Sequence, residues 1–430
     1  MTADRALTVW IEQRRVGLLA EHTGLWRFDY YPAWLQAADG FDLSPALARA
    51  QGSIIDGASQ RPVQWFFDNL LPEEAARTLL AREAQIHGED AFALLAHYGA
   101  ESAGALTLLS DGEMPAAGGL RPLDATTLHA RIARLPQASL AADAPKRMSL
   151  AGAQHKLAVV LRDGELFEPV GNTPSTHILK PDHRDTEDYP HSVANEWFVM
   201  QLAGRIGLDV PAVELRRVPD PVYLIERFDR HASHGAVRRR HAIDACQLLG
   251  LDRLFKYRAA DIGALTRVAG ACRSRALTRQ NIYRWLVFNL LVGNHDAHLK
   301  NLSFLVDSGG IALAPHYDLL CTVLYGSSHD PARWADAELP VTLDHVQHYR
   351  QLRRADVLAA GQGLGLGRAT AARMLDQMLQ QLPAAADQRY TALETAANAG
   401  APHALHAGEL RLLRQIRHLV IADMAAQLRA

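Results

Sequence analysis

The first hundred residues change from an alternating pattern to a helical one. Apolar and polar residues alternate over residues 7–13, 15–19 and 24–31, and glycines lie at the turns. A two-residue period interrupted by glycine predicts an antiparallel β-meander. Residues 64–101 are rich in Ala, Leu and Glu, which indicates helices. We therefore predict a small β-containing subdomain over residues 1–110.

The rest of the chain divides into three segments by composition. Residues 111–146 are rich in Ala, Pro and Gly around one short helical pattern, which is typical of a linker region. Residues 147–230 contain strand patterns, a small-residue turn and one helix, and are predicted to form an N-lobe. Helical patterns dominate from residue 241, so residues 231–430 are predicted to form a helical C-lobe. The predicted fold class is α+β.

Within the predicted C-lobe, an apolar helix pattern runs directly into a polar loop. Five residues have the i, i+3, i+4, i+7, i+8 spacing of one helix face: Ile282, Trp285, Leu286, Asn289 and Leu290. Gly293 lies where a helix C-cap is expected. Residues 302–306 predict a strand, residues 307–310 have turn chemistry, and a second strand leads to residues 315–318. The hairpin is therefore expected to return residue 318 to the end of the helix.

The loop after this helix carries five polar side chains within seven residues: His295, Asp296, His298, Lys300 and Asn301. The oxygens of Asn301 and Asp318 suit Mg²⁺, which keeps waters and substrate phosphates in its shell, and Asp296 is left for a substrate hydroxyl. The spacing of Asp296 and Asn301, followed by an Asp after a strand turn, is that of a kinase catalytic loop. One Asp–Asn pair alone could merely cap turns. Asp318 and the predicted hairpin favour the kinase arrangement.

A second set of candidates lies in the predicted N-lobe. The small residues before residue 157 predict a turn whose N–H groups can approach phosphate, although the turn is neither a Walker A loop nor a GxGxxG and alone indicates only a tight hairpin. Lys180, on a predicted strand, lies where a phosphate-binding lysine would follow such a loop, although a lone strand lysine is usually a solvated edge residue. Glu196, in a helix predicted over residues 192–207, could pair with Lys180.

The strand pattern over residues 221–230 changes abruptly from apolar to charged, as expected where a sheet becomes a connection between lobes. An adenine could sit there, with Phe228 as its aromatic neighbour and Glu226 contributing backbone groups. Either residue could equally be ordinary packing. The basic run at residues 238–240 is typical of a solvated surface, although it could meet a partner.

Length, charge and cysteine content limit the functional classes. A chain of 430 residues is too long for one compact core, which suggests two or three domains. With 45 basic and 47 acidic residues, no overall field drives the protein onto nucleic acid or membrane. Cys246, Cys272 and Cys321 lack metal-ligand spacing and fit a reducing cytosol, so we expect a cytoplasmic location. No signal peptide and no run of membrane-spanning length are predicted.

Five ordered motifs resemble the HipA family of serine/threonine-protein kinase toxins, which belong to type II toxin–antitoxin systems. They are residues 149–156 (SLAGAQHK), 177–180 (HILK), 225–230 (IERFDR), 295–301 (HDAHLKN) and 316–320 (HYDLL). Residues 66–73 (FFDNLLPE) resemble that family's N-terminal subdomain. The resemblance covers nearly the whole chain. It implies a bilobal protein-kinase-like fold with a mostly helical C-terminal lobe.

Position by position, the resemblance implies roles for the candidate residues. Asp296 would be the catalytic aspartate, Asn301 and Asp318 would hold Mg²⁺, and Ser149 matches the serine that these kinases autophosphorylate to switch themselves off. The residues implied to bind ATP are Ala151, Gly152, Ala153, Gln154, His155, Lys156, Lys180, Glu226, Arg227, Phe228, His298, Lys300, Asn301, Tyr317 and Asp318. His155 stands where an acidic residue is common in the family.

The resemblance also implies partners. One is a HipB-like, helix-turn-helix antitoxin, through which DNA would be contacted only indirectly. The other is a protein substrate, which in known members is an aminoacyl-tRNA synthetase. No membrane partner is expected.

Two other classes fit part of the pattern. A metal-dependent phosphohydrolase could use the His and Asp residues of the two polar segments as ligands, but it would leave Lys180 and Asn301 without a role. A catalytically silent co-repressor partner of the antitoxin would not need Asp296, Asn301, Asp318 and Lys180 together. The kinase interpretation accounts for all four.

Overall fold

In the computed structural model, which describes residues 5–152, 154–233, 235–325 and 330–430, the N-terminal alternation forms the predicted antiparallel meander. A five-stranded sheet has the order β4-β3-β2-β1-β5. Up to residue 135 the elements are β1 (Arg5–Ile11), β2 (Arg14–His22), β3 (Leu25–Tyr30), α1 (Pro32–Leu35), β4 (Ser53–Ile55), α2 (Pro62–Asp68), α3 (Glu74–Ala84), α4 (Ala91–Tyr98), β5 (Leu106–Ser110), β6 (Gly119–Pro122) and α5 (Ala125–Ala133).

The middle of the chain is mostly strand. Its elements are β7 (Leu157–Arg162), β8 (Glu165–Val170), β9 (His177–Pro181), α6 (Ser192–Arg205), β10 (Val213–Arg217), β11 (Pro221–Glu226), β12 (Arg230–Ser233), β13 (Ala236–Arg239), β14 (His241–Asp244) and α7 (Ala245–Leu249). Strands β9, β7, β8 and β6 are neighbours in that order, and β12 pairs with β13 as an antiparallel ribbon.

The C-terminal part is mostly helical, as predicted, and carries two short hairpins. Its elements are α8 (Ile262–Ala271), α9 (Arg275–Val292), β15 (Ser303–Asp307), β16 (Gly310–Leu313), β17 (Glu338–Leu343), β18 (Val346–His348), α10 (Arg354–Gly363), α11 (Arg368–Asn398), α12 (Ala407–Gln415), a π-helical segment (Ile416–Ile421) and α13 (Ala422–Arg429). The predicted hairpin after residue 302 is the β15–β16 pair.

Two compact units form from segments that are distant in sequence. The first comprises Met1–Lys180, Ile225–Phe255 and Ser303–Ala314, and the second comprises Pro181–Leu224, Lys256–Leu302 and Pro315–Ala430. The division predicted from composition, with boundaries near residues 110, 146 and 230, stays a prediction.

In the second unit, helix α9 is the central buried element. Eleven of its 18 residues are buried, among them Trp285 and Phe288, and it contacts α8, α10, α11 and α13. The apolar helix face in the sequence is therefore covered by other helices.

Among the described helices, none combines the length and the apolar character needed to cross a membrane.

A cluster of buried charges joins distant segments of the first unit. The Glu101 side chain, 1% exposed, accepts hydrogen bonds from Lys146 Nζ (2.6 Å), Arg230 Nη2 (2.8 Å), Arg239 Nη2 (3.0 Å) and Arg227 Nη1 (3.3 Å). Burial by itself would raise the pKa of Glu101, but the four cations outweigh it and hold the pKa well below its ordinary value. Glu101 is therefore a buried carboxylate whose charge is stabilised by its neighbours.

Asp229 supplies a second negative charge to this cluster. Its carboxylate accepts hydrogen bonds from Arg227 Nη2 and from the backbone N–H of Gly104, both at 2.6 Å. Burial lowers the pKa of Lys146 to about 8, against the opposing effect of Glu101. Four cations and two carboxylates thus pair with one another in a buried cluster.

The prediction that residues 238–240 form a solvated basic run is wrong for one of the three. Arg238 is exposed, but Arg239 is 7% exposed and also donates to the carbonyl and side-chain oxygens of Asn172, both at 3.1 Å. Successive side chains of a strand point to opposite faces, so β13 directs Arg239 inward and Arg238 outward. Sequence composition does not distinguish the two.

We predict that Arg239→Ala lowers the free energy of unfolding by about 1.5–3 kcal/mol, the value of hydrogen bonds to charged groups. Arg238→Ala, the neighbouring exposed arginine, should change it by less than about 0.5 kcal/mol. Thermal and urea unfolding of the two purified variants measure the difference. Equal stability of the two variants would contradict the assignment of Arg239 to the buried cluster.

We further predict a pH-dependent effect of Glu101→Gln. Because the pKa of Glu101 is depressed in the folded state, its contribution is present above the ordinary carboxyl pKa of 4.5 and is lost as the pH falls below it. The variant should be about 3–5 kcal/mol less stable than the parent at neutral pH, since it leaves buried cations without a counter-charge. The gap should narrow towards roughly pH 3.5.

The matched control for this variant is Glu165→Gln, at an exposed position in β8. Unfolding midpoints recorded across the pH range compare the three proteins. A difference between Glu101→Gln and the parent that stays constant with pH would show that the lost charge is not its cause.

Candidate active site

The polar loop (residues 294–301) begins at a glycine that ends α9. Gly293 has φ +66°, the left-handed conformation of a helix C-cap, and its N–H donates to Leu290 O. A Cβ atom there would lie 2.5 Å from Val323 Cγ2 and 2.7 Å from Val420 Cγ1. Both the backbone conformation and the close packing therefore require glycine. The predicted C-cap is confirmed.

A buried asparagine organises the polar loop behind its functional side chains. Asn294 Nδ2 donates to Asn289 Oδ1 on α9 at 2.7 Å and to Asp318 O at 3.1 Å. Asn294 Oδ1 accepts from the N–H of Asp296 at 3.2 Å. One carboxamide thus connects the end of the helix, the polar loop and the segment after the hairpin.

The candidate residues of the second unit lie close together, as the hairpin predicts. Asn301 Nδ2 donates to the carbonyl oxygen of Asp296 at 2.9 Å, and His298 N–H donates to the same oxygen at 2.9 Å. Tyr317 Oη donates to Lys300 O at 2.8 Å. The polar loop is therefore fixed by hydrogen bonds within itself and to residues 317–318.

The side chains of Asn301 and Asp318 carry oxygens that are suited to a divalent cation. Since the amide nitrogen of Asn301 is already donating, its carboxamide oxygen is the atom left to bind a cation. Burial raises the pKa of Tyr223 well above its ordinary value, and the charges of Glu196 and Asp318 add to this effect. In the described part of the chain, no three His, Cys, Asp or Glu side chains are grouped as metal ligands. A cation here would thus need phosphate oxygens or waters, as Mg²⁺ does.

Burial lowers the pKa of two histidines near the loop, His316 and His295. Burial lowers the pKa of His316 to about 4, and the charge of Arg284 adds to this effect. Burial also lowers the pKa of His295, whose Nδ1 lies 3.0 Å from Thr322 Oγ1. Among the described residues, neither belongs to a group of three or more side chains that could hold a metal ion.

The small-residue loop (residues 149–156) lies in the first unit and is hydrogen-bonded to the segment after α2. Ser149 is 0% exposed, and its hydroxyl donates to Leu70 O at 2.7 Å. Its backbone N–H donates to Glu101 O at 2.7 Å, and Glu73 N–H donates to Gly152 O at 3.3 Å. Residues of the predicted N-terminal subdomain therefore hold this loop in place.

Within the small-residue loop, a lysine closes the turn. Lys156 Nζ donates to Ala151 O at 2.6 Å. Gly152 has φ +107°, and a Cβ there would lie 2.7 Å from Lys156 Nζ. Gln154 and His155 are half-buried beside it, and Ala153 lies outside the described residues. Predictions for ATP contacts by these residues stay predictions.

The remaining candidates of the first unit differ in exposure. Lys180 is buried at the end of β9, Glu226 is exposed at the end of β11, and Phe228 packs against the core residues Ala242, Leu305 and Ala314. Arg227 directs its guanidinium into the buried charge cluster, so a contact with a nucleotide would have to involve its backbone. Lys180 belongs to the first unit and Glu196 to the second, and their predicted pairing stays a prediction.

Two residues of the polar-loop region were not foreseen. Asn294 directly precedes the motif of residues 295–301. The only sequence feature that could have indicated its role is a second asparagine, Asn289, five positions earlier near the end of α9. Tyr257 donates its hydroxyl hydrogen to Asp296 Oδ1, although 39 positions separate the two. Nothing in the sequence pattern indicates that contact.

Comparisons with known proteins agree on one family. The HipA N-terminal domain model matches residues 7–109, and the HipA-like C-terminal domain model matches residues 148–386. The serine/threonine-protein kinase toxin HipA of Shewanella oneidensis is 30% identical over 375 residues, which cover 83% of this chain and 82% of that protein. The putative kinase Y4mE of Sinorhizobium fredii is 39% identical over 336 residues, 75% of this chain and 78% of that protein.

A solved structure shows the same relationship. The HipA toxin of Shewanella oneidensis, in complex with HipB and operator DNA, superposes with a TM-score of 0.80 at 27% identity, covering 98% of this chain and 97% of that one. The predicted α+β, kinase-like fold is thereby confirmed. The chain belongs to the HipA family of serine/threonine-protein kinases.

Proposed function

We propose that the chain transfers the γ-phosphate of ATP to a serine or threonine hydroxyl of a protein, with Asp296 as its catalytic aspartate. The observation that carries this proposal is a chain of hydrogen bonds: Asn294 is bonded to the backbones of Asp296 and Asp318, and Asn301 donates to the backbone oxygen of Asp296. Phosphoryl transfer requires mainly positioning and charge stabilisation, which a rigid loop of this composition supplies.

In the proposed reaction, Asp296 orients the acceptor hydroxyl and accepts its proton as the oxygen attacks the γ-phosphorus. The bond between that phosphorus and the ADP oxygen breaks. Asn301 and Asp318 would hold Mg²⁺, which when bound neutralises phosphate charge. Lys180 would contact the phosphates, and the small-residue loop would offer backbone N–H groups to them.

The half-exposed position of Asp296 supports this assignment. Most residues of the loop are buried and Asn301 donates to the backbone oxygen of Asp296, whereas Asp296 itself is half-exposed. A protein hydroxyl can therefore reach it while the loop stays fixed. Residues 226–228, of which Glu226 is exposed, would line the adenine.

We further propose a HipB-like helix-turn-helix antitoxin as partner, with DNA contacted only through it. The HipA of Shewanella oneidensis is in complex with HipB and operator DNA, and its similarity over nearly the whole chain supports an equivalent partner here. An almost neutral net charge of −2 agrees with an indirect role at DNA.

The proposed substrate is a protein, with an aminoacyl-tRNA synthetase as the first candidate. Phosphoproteomics after brief expression, with an inactive variant as control, would identify it.

We predict that Asp296→Gln and Asp318→Ala both abolish phosphate transfer but differ in nucleotide binding. Asp296→Gln removes the proton acceptor and should leave Mg²⁺-dependent ATP affinity within a few-fold of the parent. Asp318→Ala removes a metal ligand and should weaken that affinity by about tenfold or more. Radiolabel transfer from ATP and calorimetric titration with ATP, with and without Mg²⁺, measure the two effects.

Asp423→Ala, at an exposed position of α13, is the matched control and should behave like the parent. If Asp296→Gln transfers phosphate at the parental rate, the proposed role of Asp296 is wrong. If Asp318→Ala binds ATP with Mg²⁺ as tightly as the parent does, the proposed metal ligand is wrong.

We also predict that incubation with Mg²⁺ and ATP places one phosphate on Ser149 and lowers later ATP binding. A buried hydroxyl that donates to Leu70 O cannot carry a phosphate in that position, so the small-residue loop must leave it. The phosphate adds roughly −1.5 to −2 charges beside the proposed seat of the ATP phosphates. Mass spectrometry locates the phosphate, and calorimetry compares ATP affinity before and after.

Asp296→Gln should acquire no phosphate under the same conditions, and Ser149→Ala should keep its ATP affinity during the incubation. An unmodified Ser149 in the parent would contradict the prediction. Full ATP affinity in a stoichiometrically phosphorylated sample would contradict the proposed inhibition.

A further inference from the structure

A tyrosine hydroxyl is hydrogen-bonded to the carboxylate that the proposed mechanism assigns to the substrate hydroxyl. Tyr257 Oη donates a hydrogen bond to Asp296 Oδ1 within the second unit. Neither the family motifs nor the predicted site residues include Tyr257. Its side chain is nevertheless 46% exposed, so the contact lies at the protein surface and not in a closed core.

Several contacts hold Tyr257 beside the polar loop. Its ring meets the imidazole of His298 edge to face, with 4.8 Å between centroids. Lys256 Nζ lies 5.1 Å from the centre of the same ring, and Leu299 N–H donates to Lys256 O at 3.1 Å. Ala260 N–H donates to Tyr257 O at 2.9 Å. The position of the ring is thus set by both the polar loop and its own backbone.

The chemistry of this contact matches that of a phosphoacceptor. A serine or threonine that receives phosphate must present its O–H to the Asp296 carboxylate, and Tyr257 presents the same group to it. A water molecule could form the same hydrogen bond. If it attacked the γ-phosphorus, its proton would pass to Asp296, the bond to the ADP oxygen would break, and the products would be ADP and inorganic phosphate.

We propose that Tyr257 stands in for the acceptor hydroxyl on Asp296 and keeps water from that position until a protein substrate displaces its side chain. This inference rests on the proposed role of Asp296 as catalytic aspartate. Tyr257 is accordingly a specificity-determining residue: it favours transfer to a protein over transfer to water. Its surface exposure allows an incoming polypeptide to displace the ring without opening the core.

The test is Tyr257→Phe, which keeps the ring between His298 and Lys256 and removes only the hydroxyl. Initial rates of inorganic phosphate release from Mg²⁺-ATP, with no other protein present, should rise about fivefold, the equivalent of one net hydrogen bond. The KM for ATP should not change, because the effect concerns the acceptor side. The melting temperature confirms that the variant is folded.

The matched control is Tyr189→Phe, another exposed tyrosine, whose ring packs against Tyr325 and His183. It should release phosphate at the parental rate. In the double variant Tyr257→Phe/Asp296→Gln, the raised release should disappear, because the water is then no longer activated.

Three outcomes would overturn the proposal, each for a different reason. If Tyr257→Phe releases phosphate at the parental rate, the hydroxyl does not exclude water. If Tyr257→Phe releases phosphate more slowly than the parent, the hydroxyl positions Asp296 instead. Phosphate found on Tyr257 itself by mass spectrometry would make it an acceptor. By contrast, phosphate release that persists in Asp296→Gln would refute the proposed function of Asp296 and not the exclusion of water as such.

Discussion

The first unit depends on one buried carboxylate. Glu101 lies just beyond α4, and its side chain binds cations from residue 146, from residues 227 and 230, and from residue 239. Removing such charges from water costs several kcal/mol each, and only their mutual attraction and complete hydrogen bonding compensate for it. The cluster therefore ties these four segments of the first unit to one another.

The cluster also has consequences for the proposed ATP site. The backbone oxygen of Glu101 accepts the N–H of Ser149, while the Glu101 side chain binds Arg227 within the predicted connection between lobes. The small-residue loop and residues 226–228 are therefore fixed by the same residue. In the second unit the corresponding role belongs to Asn294, which uses a neutral carboxamide. A neutral group there adds no charge beside the residues proposed to bind phosphate and metal.

The sequence predicts those features that depend on local periodicity. The apolar face of α9, the glycine that ends it and the β15–β16 hairpin each follow from neighbouring residues, and the hairpin explains why Asp318 lies beside Asn294. Features that depend on distant pairs could not be predicted. Glu101 and Arg239 are separated by 138 positions, and Arg238 and Arg239 are chemically identical in the sequence. Only the direction of a side chain on β13 decides which arginine is buried, and that depends on strand register.

Weak contacts hold the small-residue loop in place. They permit the conformational switch proposed for Ser149 phosphorylation, which strong contacts would prevent. In the described part of the chain, the hydrogen bonds between this loop and its surroundings include Ser149 Oγ to Leu70 O, Ser149 N–H to Glu101 O, and Glu73 N–H to Gly152 O. At a net value of about 0.5–1.5 kcal/mol each, these three favour the observed position by roughly 1.5–4.5 kcal/mol. That is enough to populate it predominantly, yet a phosphate that cannot be accommodated there needs only a similar free energy to shift the population. Had the loop itself carried a charge into the Glu101 cluster, the same modification would have had to break buried ion pairs. The ion pairs of Glu101 described above involve residues outside the small-residue loop, so the phosphorylation proposed for Ser149 would act on the loop without having to break them.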